Sequence, residues 1–389
     1  MPSAHAHSQS PRRARRTGLL LAVVMLGVAV LGVGVAAVVV HSPSGPAAAS
    51  PTTAPVNAVD TSLHAGPFSV VSVTPASGAT GVPTDTTVAA RFSDPLDANS
   101  PTPTLAPPVA GVWQLVTPYE IAFVASAPFA PSTTETVTIP GGSGGVRSTS
   151  GKTLAQSATV QFTVAPGSTL RLQQLLAQLG YLPVSFTPAR ALTAPQEAAQ
   201  AQQGSFAWRW AEPASLVSLW TPGTTGPLLK GAVMAFESQH DMKTDGIAGP
   251  GVWQQLLADA GTGTVDTAPY NYVYVSKALP ETATVYSNGA AVYSTRANTG
   301  VAAAPTASGT FPVYLRYKVT TMTGTNPDGS KYVDPGIPWV SYFNGGDALH
   351  GFVRGSYGFP QSDGCVEMPP ANAAVVFPLT PIGTLVTVS

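Results

Sequence analysis

Cysteine is nearly missing: the 389 residues contain one, Cys365. A lone thiol closes no intrachain disulfide, so a disulfide scaffold is excluded, and Cys365 is either a reactive group or a small buried apolar one. Charge is scarce too, at 10% of residues with a net of −1, which makes nucleic acid an unexpected partner. Nitrogen and sulfur ligands are few. Past residue 40 only His41, His64, His240 and His350 join Cys365, too scattered in sequence for a three- or four-ligand zinc site. Long helical periodicities are rare as well. What abounds is Gly and Pro, 38 of each, between short alternating runs of Val and Thr, the composition of a β-rich chain.

No acidic residue precedes Asp60, whereas Arg12, Arg13, Arg15 and Arg16 stand just before an uncharged run from Leu19 to Val40. At a rise of about 1.5 Å per residue, such a run crosses a hydrocarbon core of roughly 30 Å, and the arginines keep its N-terminal side cytoplasmic. A cleaved signal is the alternative, with Ala47-Ala48-Ala49 as its small residues. Either way the remainder is exported. With the four arginines set aside, 14 basic residues face 19 acidic ones, a net charge of about −5.

The chain divides by composition into a basic segment 1–18, the anchor or signal 19–40, a Pro/Ala/Ser/Thr linker 41–66, and three folded parts at 67–165, 168–261 and 268–389. In the first folded part, alternating stretches such as Thr87-Val88-Ala89-Ala90-Arg91-Phe92 and Thr159-Val160-Gln161-Phe162-Thr163-Val164 are spaced for a sandwich of roughly seven strands. In the second, Leu172, Leu175, Leu176 and Leu179 line one face of a helix. Further helices run near Leu229, Val233 and Phe236, and from Pro250 through Trp253, Leu256 and Leu257. Between them lie an Ala/Gln-rich insertion, 194–204, and Phe206-Ala207-Trp208-Arg209-Trp210. Trp208, Trp210 and Trp220 either pack or stack on sugar. The third part is β again, with an Asn288-Gly289 hairpin turn and a last strand ending at Val388.

Chemistry concentrates between His350 and Met368. A cysteine attacks as thiolate and needs a base or a positive field to become one; His350 is the natural base, and Gly364 lets backbone amides face a developing oxyanion. For these two residues alone, a packed thiol and an ordinary histidine remain the bland alternative.

The surrounding phrases resemble families. Thr74-Pro75-Ala76-Ser77-Gly78 with Arg91-Phe92-Ser93-Asp94-Pro95 is similar to bacterial Ig-like modules, a spacer. Leu172-Gln173-Gln174-Leu175, Leu179-Gly180-Tyr181 and Asp245-Gly246-Ile247 look like the small three-helix peptidoglycan-binding domain. Asn298-Thr299-Gly300, Pro305-Thr306, Ser308-Gly309-Thr310-Phe311, Trp339, Leu349-His350-Gly351, Ser362-Asp363-Gly364-Cys365-Val366 and Gly383-Thr384 follow the order of the L,D-transpeptidase catalytic domain of YkuD type. The expected fold class is therefore multidomain and mainly β: a transmembrane helix, an Ig-like sandwich, a three-helix module and a β-rich catalytic domain.

That resemblance implies an acyltransferase of the cell wall that acts without a cofactor. Cys365 would attack the third residue's carbonyl in a peptidoglycan tetrapeptide stem and release D-Ala. His350 would be the base and later the acid, held by the carbonyl of Gly351, with the amides of Gly364 and Cys365 on the oxyanion. An acceptor amine would then give a 3→3 crosslink, or water a carboxypeptidase product; a catalytically impaired wall-binding scaffold is the third reading. Carbapenems would acylate Cys365. Ser362, Tyr357, Arg354, Asp363 and Glu367 would contact substrate. Asp363 and Glu367 depart from the relatives' pattern, and an acid at 367 opposes thiolate formation or a substrate carboxylate, which Arg354 would offset. Papain-like enzymes place Cys before His, and the sortase Thr-Leu-x-Thr-Cys strand is absent.

Overall fold

A computed structural model describes residues 66–389. The basic segment 1–18, the anchor or signal 19–40 and nearly all of the linker 41–66 lie outside them. Among the described residues no helix is long and apolar enough to cross a membrane.

The first part is a sandwich of two four-stranded sheets. Its strands are β1 (Val70–Thr74), β2 (Ala79–Val82), β3 (Val88–Phe92), β4 (Thr104–Ala106), β5 (Gly111–Thr117), β6 (Glu120–Ala125), β7 (Thr134–Ile139) and β8 (Ala158–Val164), ordered β1-β3-β6-β5 and β2-β8-β7-β4. Alternation sends Val88, Ala90 and Phe92 from one sheet, and Val137, Ile139, Phe162 and Val164 from the other, into one core. The strands beyond the alternating stretches are β2, β4 and β5. Two are short, and β5 is exposed along nearly its whole length, so none carries a periodic apolar signal.

The middle part holds α1 (Thr169–Gln178), β9 (Val184–Pro188), β10 (Gly204–Trp208), the single turn α2 (Ala214–Val217), α3 (Pro227–Gln239) and α4 (Pro250–Thr262). Ser168 caps α1 by accepting the Arg171 N–H, and Pro opens α3 and α4, where its missing N–H costs nothing. The insertion that reads as low complexity in the sequence is structured: Pro195–Ala199 is a 3₁₀ turn between β9 and β10, which form an antiparallel ribbon from Val184↔Trp208 to Pro188↔Gly204. Two glutamines give it order. Gln174 donates to the Gln202 carbonyl at 2.8 Å and accepts the Gln202 N–H at 2.9 Å, while the buried Arg171 donates to the Ala198 carbonyl at 2.8 Å.

The helices do not close a core of their own. Leu175, Leu176, Leu229, Phe236, Trp253 and Leu256 pack in one cluster with Tyr272 and Leu385 of the next part. Helix α3 meets that sheet at two glycines: a Cβ on Gly231 would lie 2.5 Å from the Gly383 carbonyl oxygen, and one on Gly383, whose φ is +87°, 2.3 Å from that of Gly231. Only glycine on both sides permits this approach.

The last part has β11 (Asn271–Ser276), β12 (Thr282–Ser287), β13 (Ala290–Arg296), β14 (Gly309–Pro312), β15 (Leu315–Thr325), β16 (Lys331–Asn344), β17 (Asp347–Gly351), β18 (Val366–Met368), α5 (Pro370–Val376) and β19 (Leu385–Val388). One sheet runs β13-β12-β11-β19-β14, the other β15-β16-β17-β18. Their facing residues, including Val273, Val285, Phe343, Leu349, Val366 and Val386, share a core with Ala373 and Val376 of α5. The β12–β13 turn is Asn288-Gly289, both at positive φ, as a two-residue hairpin requires.

Candidate active site

The site is built on the parallel pairing of β17 and β18, in the register Leu349↔Val366, His350↔Glu367 and Gly351↔Met368. Successive side chains on a strand point to opposite faces. Leu349, Val366 and Met368 therefore enter the core between the sheets, and His350 and Glu367 take the other face. Cys365 is one residue ahead of β18, so the same alternation puts it with Glu367, and it packs beside Ala348, two residues before His350. His350 and Cys365 open into one cavity of about 380 Å³, whose floor includes Arg354 and Glu367 and whose wall includes Tyr332 and Asp334.

His350 is buried, and its Nδ1 lies 3.1 Å from the Gly351 carbonyl oxygen. A carbonyl only accepts, so Nδ1 carries the proton and Nε2 keeps its lone pair. Burial holds the imidazole below the ordinary histidine range, against the opposing pull of the Gly351 hydrogen bond and Glu367. Burial also pushes the Cys365 thiol up to about 12, with Asp347, Glu367 and Asp363 adding to the shift and the Ala348 N–H opposing it. The thiol donates to the Gly346 carbonyl at 3.7 Å. The resting pair is thus a neutral thiol with a neutral imidazole rather than a preformed ion pair.

Arg354 and Glu367 bind each other. Nε and Nη2 of the guanidinium each lie 2.8 Å from a carboxylate oxygen of Glu367, Nη2 also reaches the Gln361 carbonyl at 3.3 Å, and the guanidinium stacks 4.6 Å above the Phe352 ring. The acid that departs from the relatives' pattern is therefore neutralised within the protein. Tyr357 is turned to the backbone: its hydroxyl donates to the Phe352 carbonyl at 2.6 Å and accepts the Arg354 N–H at 3.0 Å. Ser362, 1% exposed, donates to the Cys365 carbonyl at 2.6 Å. Asp363 is exposed on the cavity wall. Gly364 has φ +113°, and a Cβ there would stand 2.8 Å from Asp347 Oδ1, so both backbone and space call for glycine.

Residues to which the sequence assigned no role complete the frame. Glu281, buried, accepts from Thr299 N–H at 2.6 Å and Thr299 Oγ1 at 2.7 Å. Thr299 in turn receives the N–H groups of Gln361 and Ser362 on its carbonyl. Asn298 pairs with Glu367 through both backbone directions and accepts the Gly358 N–H on its side chain at 2.9 Å. Thr306 accepts the Gly300 N–H at 2.8 Å and donates to the Cys365 carbonyl at 3.3 Å. The Asn298-Thr299-Gly300 and Pro305-Thr306 phrases are thus clamps on the cysteine segment. Asp347 accepts the Ala307 N–H at 3.2 Å beside Gly364. Met322, Asn326, Tyr332 and Asp334 reach the cavity from the long β15–β16 hairpin, whose Asn326-Pro327-Asp328-Gly329 turn is the one sequence signal for it.

The Trp residues of the middle part separate. Trp208 and Trp220 line a groove of about 540 Å³ with Phe186 and Phe206, whereas Trp210 packs its Cβ against Gly289 with Arg209 stacked 4.3 Å over its ring.

This fold and this site define a class. Residues 270–388 match the L,D-transpeptidase catalytic domain family, YkuD, and residues 64–164 match the bacterial Ig-like domain family. The chain carries an L,D-transpeptidase catalytic domain behind a bacterial Ig-like domain. No curated protein matches the sequence. Among solved structures it is similar to an L,D-transpeptidase from Mycobacterium smegmatis, at 14% identity over 83% of this chain and 100% of that one, with a TM-score of 0.28. L,D-transpeptidase 3 from Mycobacterium tuberculosis, solved with a faropenem-derived adduct, is 12% identical over 82% and 97%, with a TM-score of 0.29. The catalytic domain of the E. faecium L,D-transpeptidase acylated by ertapenem is 25% identical over 32% and 100%, with a TM-score of 0.29.

Proposed function

We propose that the protein is an exported L,D-transpeptidase that forms 3→3 peptidoglycan crosslinks through a thioester on Cys365. The observation that carries this reading is the shared face of His350 and Cys365, with Nδ1–H fixed on the Gly351 carbonyl so that Nε2 is the free base.

With a neutral thiol at rest, attack and proton transfer go together: His350 Nε2 takes the thiol proton as sulfur adds to the carbonyl of the third stem residue. The amides of Gly364 and Cys365 receive the oxyanion. The imidazolium then protonates the departing nitrogen, D-Ala leaves, and the thioester remains. An acceptor side-chain amine, its proton taken by His350, resolves the thioester into the crosslink; water in its place gives a tripeptide. Asp363 and Asp334, on the cavity wall, are the groups in position to meet a substrate ammonium, while Arg354, Tyr357 and Ser362 hold the loop around the cysteine.

A membrane anchor at 19–40 and the linker 41–66 would present the enzyme to the wall, with the sandwich as spacer. The middle part, 168–261, would contact glycan through the Phe206, Trp208 and Trp220 groove, since aromatic faces stack on sugar rings. A carbapenem, a strained acyl donor, is expected to acylate Cys365.

The test is incubation of the protein with a disaccharide tetrapeptide, followed by mass spectrometry. A crosslinked dimer with loss of D-Ala is expected; tripeptide alone would assign carboxypeptidation, and no product together with no carbapenem adduct on Cys365 would overturn the enzymatic reading in favour of a scaffold.

A further inference from the structure

A second cavity, of about 210 Å³, lies at the seam between the sandwich and the helical part. Pro107, Val109 and Pro128 line it from the sandwich, Gln254 and Leu257 from α4, and Glu135 sits in its lining. Glu135 is the first inward-facing residue of β7, ahead of Val137 and Ile139, and is 1% exposed. The neighbouring Thr133 donates its hydroxyl proton to the Ala130 carbonyl at 2.6 Å, and Glu135 Oε2 is buried without a partner. Leaving a carboxylate oxygen unanswered away from water is costly, and buried charges are ordinarily paired. The walls add no cation to answer it: no Lys, Arg or His lines the cavity. Pro107, Pro108 and Pro128 have no N–H, so their backbone offers acceptors only. An acceptor-rich, otherwise apolar cavity with no cation in its lining suits a ligand that is apolar along its length and rich in donors at its end.

We propose that this seam cavity binds a primary alkylammonium group of lysine side-chain size, the ammonium on Glu135 Oε2 and the methylenes along Pro107, Pro128 and Leu257. The exposed Gln254 stands beside the opening with an amide oxygen for a second N–H. Because the walls come from two parts of the chain, occupancy fastens the sandwich to α4. A direct polar contact between the two parts is a hydrogen bond from Gln200 Nε2 to Asp85 Oδ2 at 3.0 Å. The site is separate from the Cys365 cavity and does not depend on the proposed reaction.

Calorimetric titration of the full chain with Nα-acetyl-lysine methylamide, and with its norleucine counterpart lacking the ammonium, tests this. Saturable binding of the lysine probe is expected, weakened about tenfold or more both in the norleucine probe and in Glu135→Gln, the scale of one charge-assisted hydrogen bond. Ala258→Phe, which fills the cavity from α4 and leaves the carboxyl in place, is expected to abolish binding and serves if Glu135→Gln does not melt cooperatively. Equal binding of the two probes, no saturable binding, or lysine binding unchanged in a folded variant would overturn the proposal.

Discussion

Two carboxylates are buried in the two cavities described above, and they are held in opposite ways. Glu367 on the floor of the Cys365 cavity receives two guanidinium bonds from Arg354 at 2.8 Å each, and Arg354 is itself stacked on Phe352. Glu135 at the seam has a hydroxyl neighbour and an oxygen with none. The Cys365 cavity tolerates Glu367 because a cation is built in with it, so its polarity is part of the fold. The seam cavity leaves its acid to be answered from outside. A buried acid is thus structural where its partner belongs to the chain and a recognition element where it does not.

The largest effect separates the cavities by chemistry. Cys365→Ala is expected to remove the carbapenem adduct and to lower crosslinking by at least about 10⁴-fold, the scale of losing a nucleophile, while lysine-probe binding at the seam stays as in the wild type. Intact-mass spectrometry and titration read the two together. Persistent turnover would move the nucleophile elsewhere and dissolve the contrast.

Breaking the built-in pair comes next. Arg354→Ala strands Glu367, which is 5% exposed, and is expected to destabilise the protein by about 2–3 kcal/mol. That is less than the roughly 3–5 kcal/mol for a fully buried pair, because the Arg354 side chain is 31% exposed and partly screened. Denaturant unfolding measures it. Replacing both partners, Arg354→Met with Glu367→Met, is expected to recover part of the loss, since no lone charge remains.

How acid acts on the catalytic cavity follows from the pKa directions. Burial lowers the His350 pKa, so Nε2 stays a free base to lower pH than an ordinary histidine does, and burial raises that of Cys365, so the thiol keeps its proton for His350 to take. The acid limb of kcat/KM is therefore expected below the usual histidine value near 6.5; at pH 6 the enzyme keeps more than the roughly one quarter of plateau activity that an unshifted imidazole leaves. Slow alkylation of the free enzyme by iodoacetamide at neutral pH is the companion result, because little thiolate exists before substrate arrives. Fast alkylation at pH 7 would mean a preformed ion pair.

Part of the site is legible in the sequence. A lone cysteine preceded by a histidine, with glycines around both, marked the site, whereas the alternation of Leu349 with His350, and of Val366 with Cys365 and Glu367, tells which side chains face the core only once strands β17 and β18 are in place. The partnership of Arg354 with Glu367 was half legible: opposite charges 13 residues apart suggested compensation, but only the loop between β17 and β18 decides that the guanidinium lies on the carboxylate rather than on substrate. Tyr357 and Ser362 read as pocket groups because hydroxyls near a nucleophile often are; their bonds to backbone depend on loop closure, which local pattern does not encode. Glu281 and Asp347 were invisible, and Thr306 stood in a quoted phrase without a role, because their partners are distant in sequence. The β15–β16 hairpin was hidden by Pro335, Gly336 and Pro338, turn formers that sit within strand β16, where the register shifts opposite Thr320 and Met322. The ribbon at β9–β10 was masked by glutamines that look like low complexity yet close specific backbone bonds.

The smallest effect is the sharpest comparison, because the same substitution is made in both cavities. Glu367→Gln replaces an acceptor of two charged N–H groups by an amide that accepts at one oxygen and turns its NH₂ against the guanidinium. A loss of about 1–2 kcal/mol is expected, from one charge-assisted bond given up and a partly buried cation left half paired. Glu135→Gln keeps the shape, removes the cost of a buried carboxyl and gives up no ion pair. Its stability in the absence of ligand is expected to be unchanged or higher by up to about 1 kcal/mol. The two signs, read by denaturant midpoints at equal slope, distinguish an acid the fold needs from one it only carries. If Glu135→Gln were instead the more damaging of the two, its carboxyl would be holding the sandwich to the helices, and the seam would be a structural joint rather than a place for a ligand.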